Sequence, residues 1–85
     1  MDLSDKTIGV IGLGYVGLPL AVEFGKIRSV VGFDVSAARV ADLREGIDRT
    51  REVEPHELAA ARYLTYTTSL EELRSCGVFI VAESR

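Results

Sequence analysis

The sequence predicts an α/β fold: a parallel sheet of four strands in the order 3-2-1-4, with helices on both faces. Three observations predict it. Residues 7–11, 30–33 and 77–81 are short, nearly continuous apolar runs, as parallel strands covered on both faces require. Helical patterns separate them, and the resulting order β-α-β-α-α-β-α-β implies right-handed crossovers. The first run stops on glycine, and glycine recurs at the spacing G-x-G-x-x-G: Gly12, Gly14 and Gly17.

Residues 1–6 are a polar lead-in, and strand one takes residues 7–11. A strand that turns tightly into a helix aims the helix's free N–H groups at one point. Those donors and the positive end of the helix dipole suit a phosphate. Gly12 permits the tight turn, Gly14 lacks the Cβ that would hold a pyrophosphate away, and Gly17 lets the helix lie close to the strand. Helix one is expected over about residues 15–26. Leu20, Phe24 and Ile27 fall at i, i+4 and i+7 with Ala21 beside them, so they form its expected buried stripe. Pro19 calls for a later start or a slight kink, and Gly25 weakens the far end.

Strand two, Val30-Val31-Gly32-Phe33, ends on Asp34, about 20 positions beyond the glycines. A carboxylate there can accept hydrogen bonds from both hydroxyls of an adenosine ribose and would repel a 2′-phosphate, which favours NAD over NADP. The competing reading of Asp34 is a cap for the helix that starts near Ser36. That second helix spans residues 36–45, with Val40, Leu43 and Ile47 as its inward row and Gly46 as its stop. Arg39 on this helix either packs on the adenine or ribose or is an exposed helix arginine.

The connector over residues 46–55 is polar, charged and longer than a minimal crossover needs, which hints at a dedicated role. A third helix opens at Pro55 and runs to Arg62. His56, in its first turn and without a partner pattern, reads as solvent-exposed and not as a base. Leu64-Thr65-Tyr66-Thr67 alternates and is rich in β-branched and aromatic residues, so it forms strand three. Ser69-Leu70-Glu71-Glu72 has the form of a capping box and opens a short helix to Arg74. Strand four takes residues 77–81, and the phosphate turn then sits at the switch point between strands one and four.

The 85 residues make one small domain, and a hydrophobic fraction of 47% excludes a disordered tail. The net charge is −3 with acids and bases interspersed, so no basic patch points to nucleic acid or an anionic membrane. Met1-Asp2-Leu3-Ser4-Asp5 lacks a basic-then-apolar signal pattern, and no apolar run approaches the roughly 20 residues that span a bilayer. A single cysteine rules out an internal disulfide framework and agrees with a reducing cytoplasm.

Several stretches together resemble the N-terminal part of the UDP-glucose/GDP-mannose dehydrogenase family. They are Ile8-Gly9-Val10-Ile11-Gly12-Leu13-Gly14-Tyr15-Val16-Gly17-Leu18-Pro19-Leu20-Ala21, then Val31-Gly32-Phe33-Asp34-Val35, then the segment 46–55 with its Glu54-Pro55. The Gly-Tyr-Val-Gly-Leu-Pro run is much more specific than the glycines alone and gives Pro19 a precedent. The 46–55 segment looks most like the branch that oxidises UDP-N-acetylhexosamines. The resemblance implies a partial Rossmann-type domain and a two-step oxidation of a sugar nucleotide's C6 alcohol to a carboxylate with two NAD. It implies a cysteine nucleophile carrying a thiohemiacetal and thioester, with lysine, asparagine and acidic helpers, all beyond where this chain stops. What carries over is Gly12, Gly14 and Gly17 on the pyrophosphate, Tyr15 and Val16 as turn amides near it, Asp34 on the ribose and Arg39 beside it. Cys76 is not the family nucleophile and reads as a small, semi-buried side chain.

The chain departs from the family at Val81-Ala82-Glu83-Ser84-Arg85, where a Val-Pro-Thr-Pro-like turn is typical. It reads as truncated: an incomplete NAD-binding domain over residues 1–85 with no catalytic residue and no metal site. The expectation is cytoplasmic NAD binding without turnover, a UDP-sugar substrate only in a full-length form, and self-association through the strand-four edge. Two alternatives stay open. One is an inert truncated chain that folds only with a partner or the missing chain. The other is the N-terminal piece of a hydroxyacid or 6-phosphogluconate-type dehydrogenase, against which Glu54-Pro55 argues.

Overall fold

The most continuous apolar run becomes the central strand. In the structure, a computed structural model describing residues 6–82, β1 (Ile8–Ile11) lies between β2 (Val30–Phe33) and the edge strand Val78–Val81. Strand Leu64–Thr67, numbered β3, lies outside β2; Val78–Val81 is β4. The order is β3-β2-β1-β4 and every pair is parallel. The lead-in 1–5 and the closing residues 83–85 read above lie outside the described residues. Ile11, Phe33, Thr67 and Val81 share one register row, so all four strands end level. Gly12, Asp34 and Ala82 therefore leave the sheet at one edge.

Side chains alternate across this sheet. On one face, Ile8, Val10, Val30 and Leu64 form a single core with Leu18, Ala21 and Val22 of α1 (Gly17–Gly25), Leu43 of α2 (Ala37–Arg44), and Leu58 of α3 (Pro55–Ala60). On the other, Phe33 packs with Leu73 and Cys76, with Ile11 and Val31 against them, under a 3-10 helix, Leu70–Ser75. Lys26 just past α1 pairs with Glu57 on α3 and with Glu23, at 2.9 Å for the latter.

Several expectations need correction. Helix one starts at Gly17, two positions late, which makes Pro19 its third residue. The first-turn N–H groups of a helix lack intrahelical partners, so the proline ring costs no bond there. Its buried face is Gly17, Leu18, Ala21, Val22 and Gly25, whereas Leu20 is 37% and Ile27 73% exposed and Phe24 is partly buried. The later start turns Leu18, Ala21 and Val22 inward, and the close approach to the sheet falls at Gly17 and at Gly25, which lies against Leu64 and Ala61. Ile47 is also exposed, because α2 ends in a Schellman turn. The N–H of Gly46 (φ 81°) donates to Leu43 O at 3.0 Å and that of Ile47 to Asp42 O at 2.9 Å, and this reversal breaks the helical spacing.

The third helix ends at Ala60, short of Arg62. The capping box at Ser69 does not form: the segment is a 3-10 helix and the Ser69 side chain makes no cap bond. While Glu72 N–H donates to Ser69 O at 3.3 Å, the buried Thr67 hydroxyl takes one of the box's two roles. It accepts from Ser69 N–H at 2.9 Å and donates to the Glu72 carboxylate.

Candidate dinucleotide-binding site

The turn from β1 into α1 is shaped by contacts that leave no room for a Cβ. Gly12 sits at φ +99°, and a Cβ on it would fall 2.2 Å from the Ala82 carbonyl oxygen. A Cβ on Gly17 would fall 1.6 Å from Gly12 O, so this close approach binds helix to turn. Gly12 N–H donates to Phe33 O at 2.8 Å, and Gly14 O accepts from Leu18 N–H at 3.2 Å. The N–H groups of Gly14, Tyr15, Val16 and Gly17 find no acceptor among the described residues. They cluster at the start of a nine-residue helix, with the Tyr15 and Val16 side chains half-exposed and Gly14 buried. Orphan donors at the positive end of a helix dipole fit the pyrophosphate of a dinucleotide.

Asp34 leaves β2 beside this turn. Its Oδ2 accepts from Leu13 N–H and its Oδ1 from Ser36 N–H, both at 2.9 Å. It therefore helps to start α2, where Ser36 Oγ caps Arg39 N–H at 3.2 Å, and it also ties down the glycine turn. Each carboxylate oxygen keeps a further lone pair. A cleft of about 300 Å³ opens here, lined by Ile11, Gly12, Phe33, Asp34, Val35, Val81 and Ala82. It lies beyond the carboxyl ends of β1, β2 and β4, where the strand order switches direction and ligands of open α/β sheets bind. Val35 offers an apolar side chain, 85% exposed, beside Asp34.

Arg39 is not an exposed helix arginine. Its Nε and Nη2 donate to Leu13 O at 2.9 and 2.6 Å, and its Nη1 donates to Asp48 Oδ1 at 2.7 Å. Its side chain is only 13% exposed, and Asp48 opposite is 0% exposed. Asp48 also accepts from the Thr50 hydroxyl at 2.6 Å and from the N–H groups of Thr50, Glu52 and Val53 at 2.9, 2.9 and 3.0 Å. Burial alone would raise the Asp48 carboxyl; the bonds from Thr50, Arg39 and Val53 outweigh it and bring it down to about 2. Nearby, burial pushes the Tyr66 phenol up to about 12, with Arg39 opposing and Asp48 adding to the rise. The sequence reading missed Asp48. The signal it carried was Asp-x-Thr, the pattern of a side chain that turns its own backbone.

Gly12, Gly14, Tyr15, Val16, Gly17, Asp34 and Arg39 thus gather at one sheet edge. Cys76 and His56 do not. Cys76 is buried against Phe33 and Leu73, and burial raises its thiol. His56 stands 78% exposed on α3. Among the described residues, no group of His, Cys, Asp and Glu could hold a metal ion, and no helix is long and apolar enough to cross a membrane.

Residues 6–83 match the model of the NAD binding domain of the UDP-glucose/GDP-mannose dehydrogenase family. The chain is 57% identical over 79 residues to a UDP-N-acetyl-D-glucosamine 6-dehydrogenase of Pseudomonas aeruginosa, a match that covers 93% of this chain and 19% of that protein. It is 49% identical to the enzyme of the same name from Salmonella typhi, again over 93% of this chain and 19% of that protein. Among solved structures, a ternary complex of GDP-mannose dehydrogenase from Pseudomonas aeruginosa superposes with a TM-score of 0.75 at 25% identity, over 91% of this chain and 19% of that one. A UDP-D-ManNAc dehydrogenase from Pyrococcus horikoshii gives 0.73 at 31% identity, over 89% of this chain and 19% of that one. The chain therefore spans about a fifth of the length of the curated relatives it matches.

Proposed function

The chain belongs to the UDP-glucose/GDP-mannose dehydrogenase family, as its NAD-binding domain, and we propose that it holds NAD for the oxidation of a UDP-linked N-acetylhexosamine at its C6 alcohol. The observation that supports the reading is a turn with four unpartnered N–H groups that is tied through Leu13 to the Asp34 carboxylate in the cleft wall. Bound NAD supplies a hydride acceptor. The chain's own part is to bind and orient. The N–H groups of Gly14, Tyr15, Val16 and Gly17 take the pyrophosphate, and Gly12 and Gly17 keep the turn tight enough for it to approach. The free lone pairs of Asp34 take the ribose hydroxyls and repel a 2′-phosphate. Arg39 lies beside the ribose and braces the turn from below.

Hydride transfer also needs a substrate held against the cofactor's reactive carbon. We assign the substrate-holding and reacting groups to the part of the relatives' length that this chain does not span. The substrate class rests on two relatives at 57% and 49% identity that share one name. Nucleotide-sugar oxidation of this kind serves polysaccharide building in the cytoplasm, where we place the chain. With a net charge of −3 we assign it no nucleic-acid partner. A second reading, a chain inactive until a partner covers it, is favoured by one observation: Phe79 and Val81 on the edge strand β4 are 50% and 73% exposed.

The test is a calorimetric titration of the 85-residue chain with NAD and then NADP, with circular dichroism on the same sample. Saturable NAD binding, weaker for NADP, is expected. Asp34→Ala should weaken NAD by about tenfold or more, since it removes charge-assisted bonds to the ribose. A folded chain that ignores NAD would overturn the reading.

A further inference from the structure

The connector over residues 46–55 has no part in the site as described above, yet its one fully buried carboxylate reaches the arginine that braces the glycine turn. We propose that Asp48 is a positioning residue: acting through Arg39, it fixes the Leu13–Gly14 peptide, so that the connector sets dinucleotide affinity from outside the cleft. The proposal rests on the cofactor reading above and extends it to a residue that touches no ligand.

Leu13 is gripped at both of its backbone polar groups, which belong to two successive peptides. Its N–H goes to Asp34 and its C=O takes two N–H groups of Arg39. Leu13 C=O shares its peptide plane with Gly14 N–H, the first of the donors assigned to the pyrophosphate, so the grip on Leu13 O sets that donor's aim. A guanidinium grips a carbonyl in this way only while its plane is fixed. Asp48 fixes it, holding Nη1 at 2.7 Å while Nε and Nη2 meet Leu13 O. Asp48 cannot swing toward the cation or away from it, because Thr50, Glu52 and Val53 enclose it with four further hydrogen bonds. Thus the connector folds around a single anion and presents that anion beneath the turn. Without it, a nearly buried arginine would lose its counter-charge and with it the fixed plane that grips Leu13 O.

A double-mutant cycle on the 85-residue chain tests this, with Asp48→Ala, Arg39→Ala and the double variant titrated with NAD. Asp48→Ala should weaken NAD roughly five- to tenfold, and the double variant should bind no more weakly than Arg39→Ala alone. Additive losses would overturn the proposal, since Asp48 would then act only by shaping its loop. A second readout needs no cofactor. In 15N NMR spectra of the ligand-free chain, Asp48→Ala should speed exchange of the Arg39 Nε–H and of the Leu13 N–H. If both signals are unchanged, the proposal falls, whether or not NAD binds. A wild-type chain without NAD affinity would sink the cofactor reading, and the NMR readout would still decide the posture of Arg39. Should Asp48→Ala fail to fold, Arg39→Lys decides. It keeps a cation beside Asp48 and loses the fork on Leu13 O, so wild-type affinity in that variant would also overturn the proposal.

Discussion

Two carboxylates bear on the glycine turn, Asp34 directly and Asp48 through Arg39, and they differ in what surrounds them. Asp34 is half-buried and keeps acceptor capacity toward the cleft, whereas Asp48 is sealed by its own loop. That sealing makes Asp48 acid-sensitive. Its folded carboxyl titrates at about 2, below the ordinary 3.8, so the charged form belongs to the folded state. The stabilisation, on the order of 1 to 2 kcal/mol after solvent screening, is complete above the unfolded pKa and is lost as pH falls from about 4 toward 2. Thermal unfolding across that window should show a wild-type midpoint that falls more steeply than that of Asp48→Asn. Parallel slopes would show that another carboxylate dominates.

At the scale of elements, strand identity and order were legible in the sequence because buried parallel strands need near-continuous apolar runs, and the glycine spacing marks their junction with a helix. Helix faces were not legible to the same degree. Spacing nominated Leu20 and Ile27 beside Ala21 for the inward stripe of helix one; Ala21 is buried there, but with Leu18 and Val22 as its companions. The capping box failed because Thr67, at the end of β3, reaches Ser69 and Glu72 first. At the site, the glycines and Asp34 could be read locally. The Arg39–Asp48 pair could not, because it depends on how the connector closes. That connector also contains Arg51 at φ 59°, a left-handed conformation that favours glycine. Arg51→Gly should raise stability by about 0.5 to 1 kcal/mol in urea unfolding, as the strain is relieved. A lower midpoint would mean that the Arg51 side chain contributes more than its backbone costs.

For the whole molecule, the level carboxyl ends of the strands bring the groups of the proposed site to one end of the sheet, while the covering layers among the described residues are unequal. Three helices cover one sheet face, and a single 3-10 helix covers the other. Phe79 and Val81 stay open to solvent on β4, which pairs only with β1 among the described strands. We expect concentration-dependent self-association in sedimentation, reduced by Val81→Lys, because a lysine on an open edge discourages strand pairing. Equal sedimentation of the two chains would remove this edge as the contact. Leu13, held at its N–H and at its C=O before any ligand arrives, has a thermodynamic consequence of its own. The backbone entropy of shaping this turn is lost once, on folding, and is not lost again at encounter. Capture of the dinucleotide in the proposed site then approaches rigid docking, with a heat-capacity change that reports apolar area covered and little refolding of the turn.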